Sequence, residues 1–308
     1  MERFEKGSTI GYVGLGKMGL NMVTLMKENE YNVVAYDRSQ ESRKEAEELG
    51  VEPRDSIQGL IESLEAPRTI WIMVPHQAVG DVLEDLCGHL DEGDTVIDGG
   101  NSHYTESVER AKRCREQGIH FVDIGVSGGP GGALNGACMM VGGGRGQFDR
   151  LEPLINILCV EGGYGYMGEA GAGHFAKMVH NGIEYGMMQA IAEGFEIMKK
   201  SEFGFDLAEV ARVYSKGSVI ESRLIDWARD AYQEWGNELE GISGSAKASG
   251  EADWTVQAAE ELGVKRNVIA DALEARYASQ EEPNYQGQVI MALRNKFGGH
   301  EAGRSETK

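Results

Sequence analysis

No stretch of eighteen apolar residues occurs in the 308-residue chain, so a membrane-spanning helix is not expected. The opening residues, MERFEKGSTIGYVGLG, lack the charged-then-apolar pattern of an export leader and run almost directly into a strand. A cytoplasmic location is the expectation. Cysteine is scarce: Cys87, Cys114, Cys138 and Cys159 show no CxxC or Cys/His spacing, which argues against structural zinc and against a disulfide framework. Positive charge is also short, with 30 Lys and Arg against 50 Asp and Glu and a net charge of -20. No long basic run offsets that field, so neither nucleic acid nor an anionic membrane is an expected partner. An anionic substrate would need Arg, Lys or His placed locally. No internal repeat or low-complexity tract is evident.

What the chain does have is 41% hydrophobic content, enough to fold two domains, which its length favours. Short apolar runs at 9–14, 32–36, 69–74, 94–98, 119–124 and 136–144 alternate with helical stretches. That rhythm predicts an α/β Rossmann domain with a doubly wound, mainly parallel sheet. Strand signals then stop near residue 168, and helical patterns follow at 171–200, 206–215, 218–235, 252–262, 266–280 and 285–296. The expected organisation is a dinucleotide-binding domain over 1–168 and an all-α substrate and oligomerisation domain over 169–308.

The segment GYVGLGKMG sets Gly14, Gly16 and Gly19 in GxGxxG spacing. In a chain with 43 glycines the spacing alone is weak, but here it follows a strand, opens a helix, and precedes Asp37 at the end of the next strand. Gly14 permits the turn, Gly16 lets a pyrophosphate approach the backbone, and Gly19 allows close helix packing. Leu15, Lys17 and Met18 complete the loop. Asp37 can accept hydrogen bonds from the adenosine ribose hydroxyls and would repel a 2′-phosphate, which favours NAD. Arg38 leaves NADP open, since it could stack on adenine or hold a 2′-phosphate if Asp37 turned away. Val74 and Asn101, at later strand ends, join the expected cofactor contacts.

Two further clusters follow strands: IDGGNSHY at 97–104, with Asn101, and GVSGGPGG at 125–132, with Ser127, Gly128 and Gly129. Their amide, hydroxyl and backbone N–H groups suit a carboxylate or sugar hydroxyls. A third cluster is GHFAKMVHNGIEYG at 173–186, which reads as a buried helix carrying Lys177, His180, Asn181 and Glu184 on one face. Phe175, Met178, Val179, Ile183 and Met187 occupy the remainder and are expected to meet a core. A buried Lys–Glu pair with no function is costly unless well satisfied, so this stripe is expected to do chemistry.

Through GLGKMGLNM, IDGGNSHY, GVSGGPGGALNG, GHFAKMVHNGIEYG and RNKFGGH, the sequence resembles the decarboxylating 6-phosphogluconate dehydrogenases, in their short form. The motifs span nearly the whole chain. The 3-hydroxyisobutyrate type of β-hydroxyacid dehydrogenase shares the nucleotide loop, the SGG turn and a helical lysine but typically lacks HNGxEY. The resemblance implies that Lys177 is the general base for the substrate 3-hydroxyl and afterwards, protonated, the electrophile at the developing enolate, so that no metal is needed. It implies that Glu184 protonates C1 of the enediol to give ribulose 5-phosphate, and that His180, Asn181, Asn101, Ser127, Gly128 and Gly129 position the hydroxyls and carboxylate. Tyr185, Arg276, Arg294 and His300 match the phosphate-binding set. The C-terminal motif implies a homo-oligomer whose C-terminal segment reaches the neighbouring subunit's site. One departure is local: long forms carry KGTGKWT where this chain reads ASGEADWT before and through Trp254 and Thr255.

Overall fold

The computed structural model describes residues 3–248 and 250–298. Two compact units divide it, Met1–Lys177 and Met178–Lys308.

In the first unit, β1 (Thr9–Val13), α1 (Lys17–Glu28), β2 (Asn32–Tyr36), α2 (Gln40–Glu48) and β3 (Glu52–Arg54) form one wing. Next come α3 (Ile57–Glu62), β4 (Thr69–Ile72), α4 (His76–Cys87), β5 (Thr95–Asp98), α5 (Tyr104–Glu116) and β6 (His120–Ser127). Then α6 (Gly129–Asn135), β7 (Ala137–Gly143), α7 (Arg145–Leu158) and β8 (Cys159–Gly168) complete the sheet. Its order is β3-β2-β1-β4-β5-β6-β7-β8. Every pairing is parallel except β6 with β7.

Strands β4 and β5 are buried at every position, as strands covered on both faces must be. Met22, Val23 and Met26 of α1 and Leu151, Leu154 and Ile155 of α7 pack with Tyr12 and Trp71 in one core. Leu60, Val79, Leu83 and Cys114, from α3, α4 and α5, pack with Ile70 and Val96 in another. The chain leaves β1 toward β2 and β3, then returns to β4 on β1's other side. A crevice at the C-terminal ends of β1 and β4 results, which is where ligands bind in open α/β sheets.

Two strands lie outside the expected set. β3 has three residues, EPR, too few to show a period. β8 (CVEGGYGYMG) is rich in glycine and mostly unburied, so its sequence reads as a linker although it pairs with β7. Strand structure therefore continues to Gly168.

Helix α8 (Ala172–Lys200) runs from the first unit into the second. The second unit adds α9 (Leu207–Tyr214), α10 (Arg223–Trp235), α11 (Glu251–Glu261), α12 (Asn267–Glu281) and α13 (Tyr285–Gly298), with no strand among its described residues. Helix α10 starts later than the periodicity suggests, because the Ser222 hydroxyl caps it by accepting from the Ile225 N–H at 3.3 Å. Phe195 stacks on Tyr232 at 5.2 Å within a core that includes Leu224 and Ile290.

The apolar flank of α8 departs from expectation. Met178 is buried, but Ile183 is 52% and Met187 42% exposed. The helix carries an uncovered apolar strip beside its polar one. Among the described residues, no helix is long and apolar enough to cross a membrane.

Candidate active site

The glycine turn after β1 is built by close approach. Gly14 has φ +105, and a Cβ there would come within 2.3 Å of the Met73 carbonyl oxygen. A Cβ on Gly19 would come within 2.0 Å of the Gly14 carbonyl oxygen, so α1 sits directly on the turn. Gly16 meets nothing within 4 Å and, as the residue before α1, opens the helix without a side-chain cap. That leaves room and backbone N–H groups for a pyrophosphate. Leu15 is buried, Lys17 is exposed and Met18 is half-buried.

At the end of β2 the Asp37 carboxylate is fixed from both sides. Its Oδ2 accepts from the Leu15 N–H at 2.7 Å and its Oδ1 from the Ser39 N–H at 2.7 Å. Arg43 Nη1 donates to the Asp37 carbonyl at 2.6 Å and Nη2 lies 3.4 Å from Asp55. Each carboxylate oxygen keeps a second lone pair for a ribose hydroxyl. Arg38 beside it is exposed. Val74 lies just past β4, its Cγ1 2.9 Å from where a Gly14 Cβ would stand.

Asn101 follows β5 in a loop shaped by a buried carboxylate. Asp98 Oδ1 accepts from the Gly100 N–H at 3.0 Å, and its Oδ2 accepts from Ser102 Oγ at 2.8 Å and Arg110 Nη1 at 3.3 Å. Arg110 Nη1 also donates to Ser102 Oγ at 2.9 Å. Asp98 is fully buried and Arg110 nearly so, so the ion pair stiffens the loop. Ser127 ends β6, and Gly128 (φ +125) and Gly129 (φ +61) turn the chain into α6. Asn101, Ser127, Gly128 and Gly129 therefore all follow C-terminal strand ends of one sheet. Lys177 stands against this edge: a Cβ on Gly125 of β6 would come within 2.3 Å of Lys177 Cβ.

In the second unit the polar face of α8 continues. His180 Nδ1 lies 3.0 Å from Asn181 Oδ1 and 3.8 Å from Glu184 Oε2. The His180 and Glu184 side chains are 38% and 26% exposed, so the stripe is half-buried on a helix that was expected to be buried. Tyr185 is buried beneath the Arg276 guanidinium, whose Cζ sits 3.8 Å from the ring centroid. Arg276 is 2% exposed, and its Nη2 donates to Met188 Sδ at 3.4 Å. Burial pushes its pKa down to about 10, and the Arg294 charge acts in the same direction. Tyr185, Glu184 and Glu251 oppose that shift. Arg294 Nη1 donates to the Lys247 carbonyl at 2.5 Å. His300 lies outside the described residues.

Three supports were not visible in the sequence: the Asp98–Arg110 pair, the Asp123 carboxylate under the start of α8, and Thr255. Thr255 Oγ1 donates to the Met178 carbonyl at 2.7 Å, and a Cβ on Gly182 would come within 2.6 Å of Thr255 Cγ2. The last two join residues 48 to 77 apart in the chain, which no local pattern signals. Among the described residues, no three His, Cys, Asp or Glu side chains group as a metal site.

Comparison with known proteins agrees over both units. Residues 9–168 match the family described as the NAD binding domain of 6-phosphogluconate dehydrogenase, and residues 173–307 match the 6-phosphogluconate dehydrogenase C-terminal domain. YqeC of Bacillus subtilis strain 168 is 46% identical over 291 residues, covering 94% of this chain and 98% of that protein. The NAD(+)-dependent, decarboxylating 6-phosphogluconate dehydrogenase of Haloferax volcanii is 39% identical over 299 residues, covering 96% and 99%. Among solved structures, Plasmodium falciparum 6-phosphogluconate dehydrogenase, studied with NADP+ and with 6-phosphogluconate, aligns with a TM-score of 0.79 at 31% identity. That alignment covers 89% of this chain, which spans 62% of the Plasmodium chain.

Proposed function

The chain belongs to the 6-phosphogluconate dehydrogenase family, and from that premise we propose that it oxidatively decarboxylates 6-phosphogluconate to ribulose 5-phosphate and carbon dioxide, with NAD as the preferred acceptor. The observation that carries the reading is the single uninterrupted helix α8, which bears Lys177, His180, Asn181 and Glu184 at one-face spacing.

In this proposal Gly14, Leu15, Gly16, Lys17, Met18 and Gly19 hold the cofactor pyrophosphate, Asp37 its ribose, and Val74 and Asn101 its remainder. The α1 terminus, which no side chain caps, and the fixed Asp37 carboxylate fit that group. Bound NAD supplies the acceptor for the hydride that leaves substrate C3. Lys177, entering neutral, takes the 3-hydroxyl proton. The product is a β-keto acid, which loses carbon dioxide readily. The Lys177 ammonium then faces the developing enolate oxygen and stabilises it. Glu184, two turns further and about 10 Å along the axis, delivers a proton to C1 of the five-carbon enediol, which was C2 of the substrate. His180 and Asn181, with Asn101, Ser127, Gly128 and Gly129, orient the sugar acid.

Arg276 and Tyr185, with Arg294 and His300, form the proposed phosphate anchor. A guanidinium already desolvated at 2% exposure loses little hydration when phosphate arrives. The exposed Ile183 and Met187 support a homo-oligomer, and the RNKFGGH motif is the basis for proposing that its C-terminal segment reaches a neighbouring site. A cytoplasmic location accords with this metabolic role.

Preference for NAD rests on Asp37, whose charge opposes a 2′-phosphate. The test is an assay of purified protein with 6-phosphogluconate and each cofactor. Higher kcat/KM with NAD is expected; equal or higher kcat/KM with NADP would overturn the preference, and no reduction of either would overturn the activity.

A further inference from the structure

Asp123 is fully buried in β6, yet its carboxylate belongs functionally to α8. Its Oδ1 accepts from the Gly171 N–H at 2.7 Å and its Oδ2 from the His174 N–H at 2.8 Å. These are backbone donors at the helix start that have no partner within the helix. Such donors are usually satisfied by a side chain next to the helix in sequence. Here the acceptor comes from 48 and 51 residues upstream, on a central strand. The cap therefore fixes where the helix stands on the sheet, which a local cap cannot do.

Close backbone approach makes the fixation tight. A Cβ on Gly173 would come within 2.6 Å of the Asp123 carbonyl oxygen and 2.7 Å of the Gly142 nitrogen. One on Gly142 would meet Asp123 Oδ1 at 2.5 Å. One turn into the helix, Lys177 Cβ lies against Gly125. Asp123, Gly125 and Ser127 alternate along β6 and so face the same side of the sheet. One strand face thus holds the helix, seats the lysine stem and ends in the SGG turn.

A second anchor prevents rotation about the first. His174 Nδ1 and Ser107 Oγ, both buried, are 2.7 Å apart, which ties the same turn of α8 to α5. Helix α5 also carries Arg110, which braces the Asn101 loop through Asp98 and Ser102. The Asn101 loop, the Ser127 turn and Lys177 share one hydrogen-bonded frame.

We propose that Asp123 is a positioning residue for Lys177, with the Ser107–His174 contact as its accessory: the buried carboxylate sets the register of α8 on β6 and thereby the reach of the lysine amine to the substrate hydroxyl. The inference rests on the reading of Lys177 as the general base. A misplacement of about 1 Å at a reacting group can cost on the order of 100-fold in rate.

The experiment compares wild type, Asp123→Ala, Asp123→Asn and Ser107→Ala. It measures kcat, the NAD dissociation constant without substrate, and the primary isotope effect with 6-phosphogluconate deuterated at C3. Asp123→Ala is expected to lower kcat by about 10- to 100-fold, to leave NAD affinity within about 2-fold, and to raise the isotope effect as hydride transfer, which depends on removal of the 3-hydroxyl proton by Lys177, becomes limiting. Asp123→Asn, which keeps one acceptor, falls between, and Ser107→Ala loses less. Unchanged kcat in folded Asp123→Ala overturns the proposal, as does a fall in kcat matched by an equal fall in the number of NAD-binding sites, which reports only a smaller folded fraction. If Asp123→Ala does not fold, the same criteria apply to Asp123→Asn and Ser107→Ala. Inactivity of the wild type would instead count against the functional reading. In that event Lys177 is followed directly, by reductive methylation with 13C-formaldehyde and assignment with Lys177→Arg. Its resonance should move in Asp123→Asn, and an unmoved resonance overturns the positioning role.

Discussion

The Asp37 carboxylate accepts the Leu15 backbone N–H at 2.7 Å, so the acid that ends β2 is part of the glycine turn that ends β1. The residue proposed to select the cofactor therefore also holds the geometry of the loop. Asp37→Ala should lower kcat/KM for NAD by about 10- to 100-fold, from a lost charged hydrogen bond and a loosened turn. Asp37→Asn keeps an amide oxygen for one of the two N–H groups and removes the charge, so it should gain with NADP while losing less with NAD. Steady-state kinetics with both cofactors decide this; unchanged ratios in both variants would show that Asp37 does not face the ribose.

Lys177 separates chemistry from binding. Lys177→Met keeps the aliphatic stem that lies on Gly125 but removes the amine. A kcat loss of about 100- to 10,000-fold is expected, the range for deleting a general acid–base group, with NAD affinity retained. Titration of cofactor by fluorescence alongside single-turnover rates checks it. A variant retaining a tenth of wild-type kcat would remove Lys177 from the role.

Arg276 predicts a pH dependence of substrate capture. Burial lowers its pKa from the ordinary guanidinium value to about 10, so between these values the unfolded chain holds the proton more often than the folded one. Stability arising from this group therefore rises with pH through that window as the burial penalty on the cation lifts. Phosphate recognition moves the opposite way: KM for 6-phosphogluconate should climb as pH passes about 10, while KM for NAD stays flatter. Arg276→Lys should raise KM for the substrate about 10-fold or more at neutral pH, because an ammonium cannot make a planar two-pronged contact. Initial rates across pH 8 to roughly 10.5 provide the comparison. A flat substrate KM in the wild type would contradict the assignment.

Gly182 and Thr255 set the fit of α11 on α8. Gly182→Ala places a methyl 2.6 Å from Thr255 Cγ2 and should destabilise by about 1–3 kcal/mol. Thr255→Ser in the same chain removes that methyl and should return part of the loss. Thermal unfolding of the single and double variants measures it; additive losses would mean that the contact does not govern the fit.

Much of this was legible in the sequence because it is local. The GxGxxG turn, Asp37 at the following strand end, and the Lys177 to Glu184 spacing are written in consecutive residues and repeat periods. β3 and β8 escaped because edge strands need less burial: one is three residues long, and the other trades apolar side chains for glycine. The exposure of Ile183 and Met187 escaped because periodicity reports which residues share a face and is silent on what covers it. The supports of the site were hidden for a different reason. Asp123 and Ser107 reach the start of α8 across 48 to 67 residues of chain, and only the folded sheet brings them there.

The most direct test of the central claim is the ratio of carbon dioxide released to NADH formed when wild-type protein consumes 6-phosphogluconate labelled with 13C at C1. A shared Lys177 and Glu184 apparatus predicts one labelled carbon dioxide for each NADH, with ribulose 5-phosphate as the product. NADH formation without labelled carbon dioxide would show a simple hydroxyacid dehydrogenase and contradict the account.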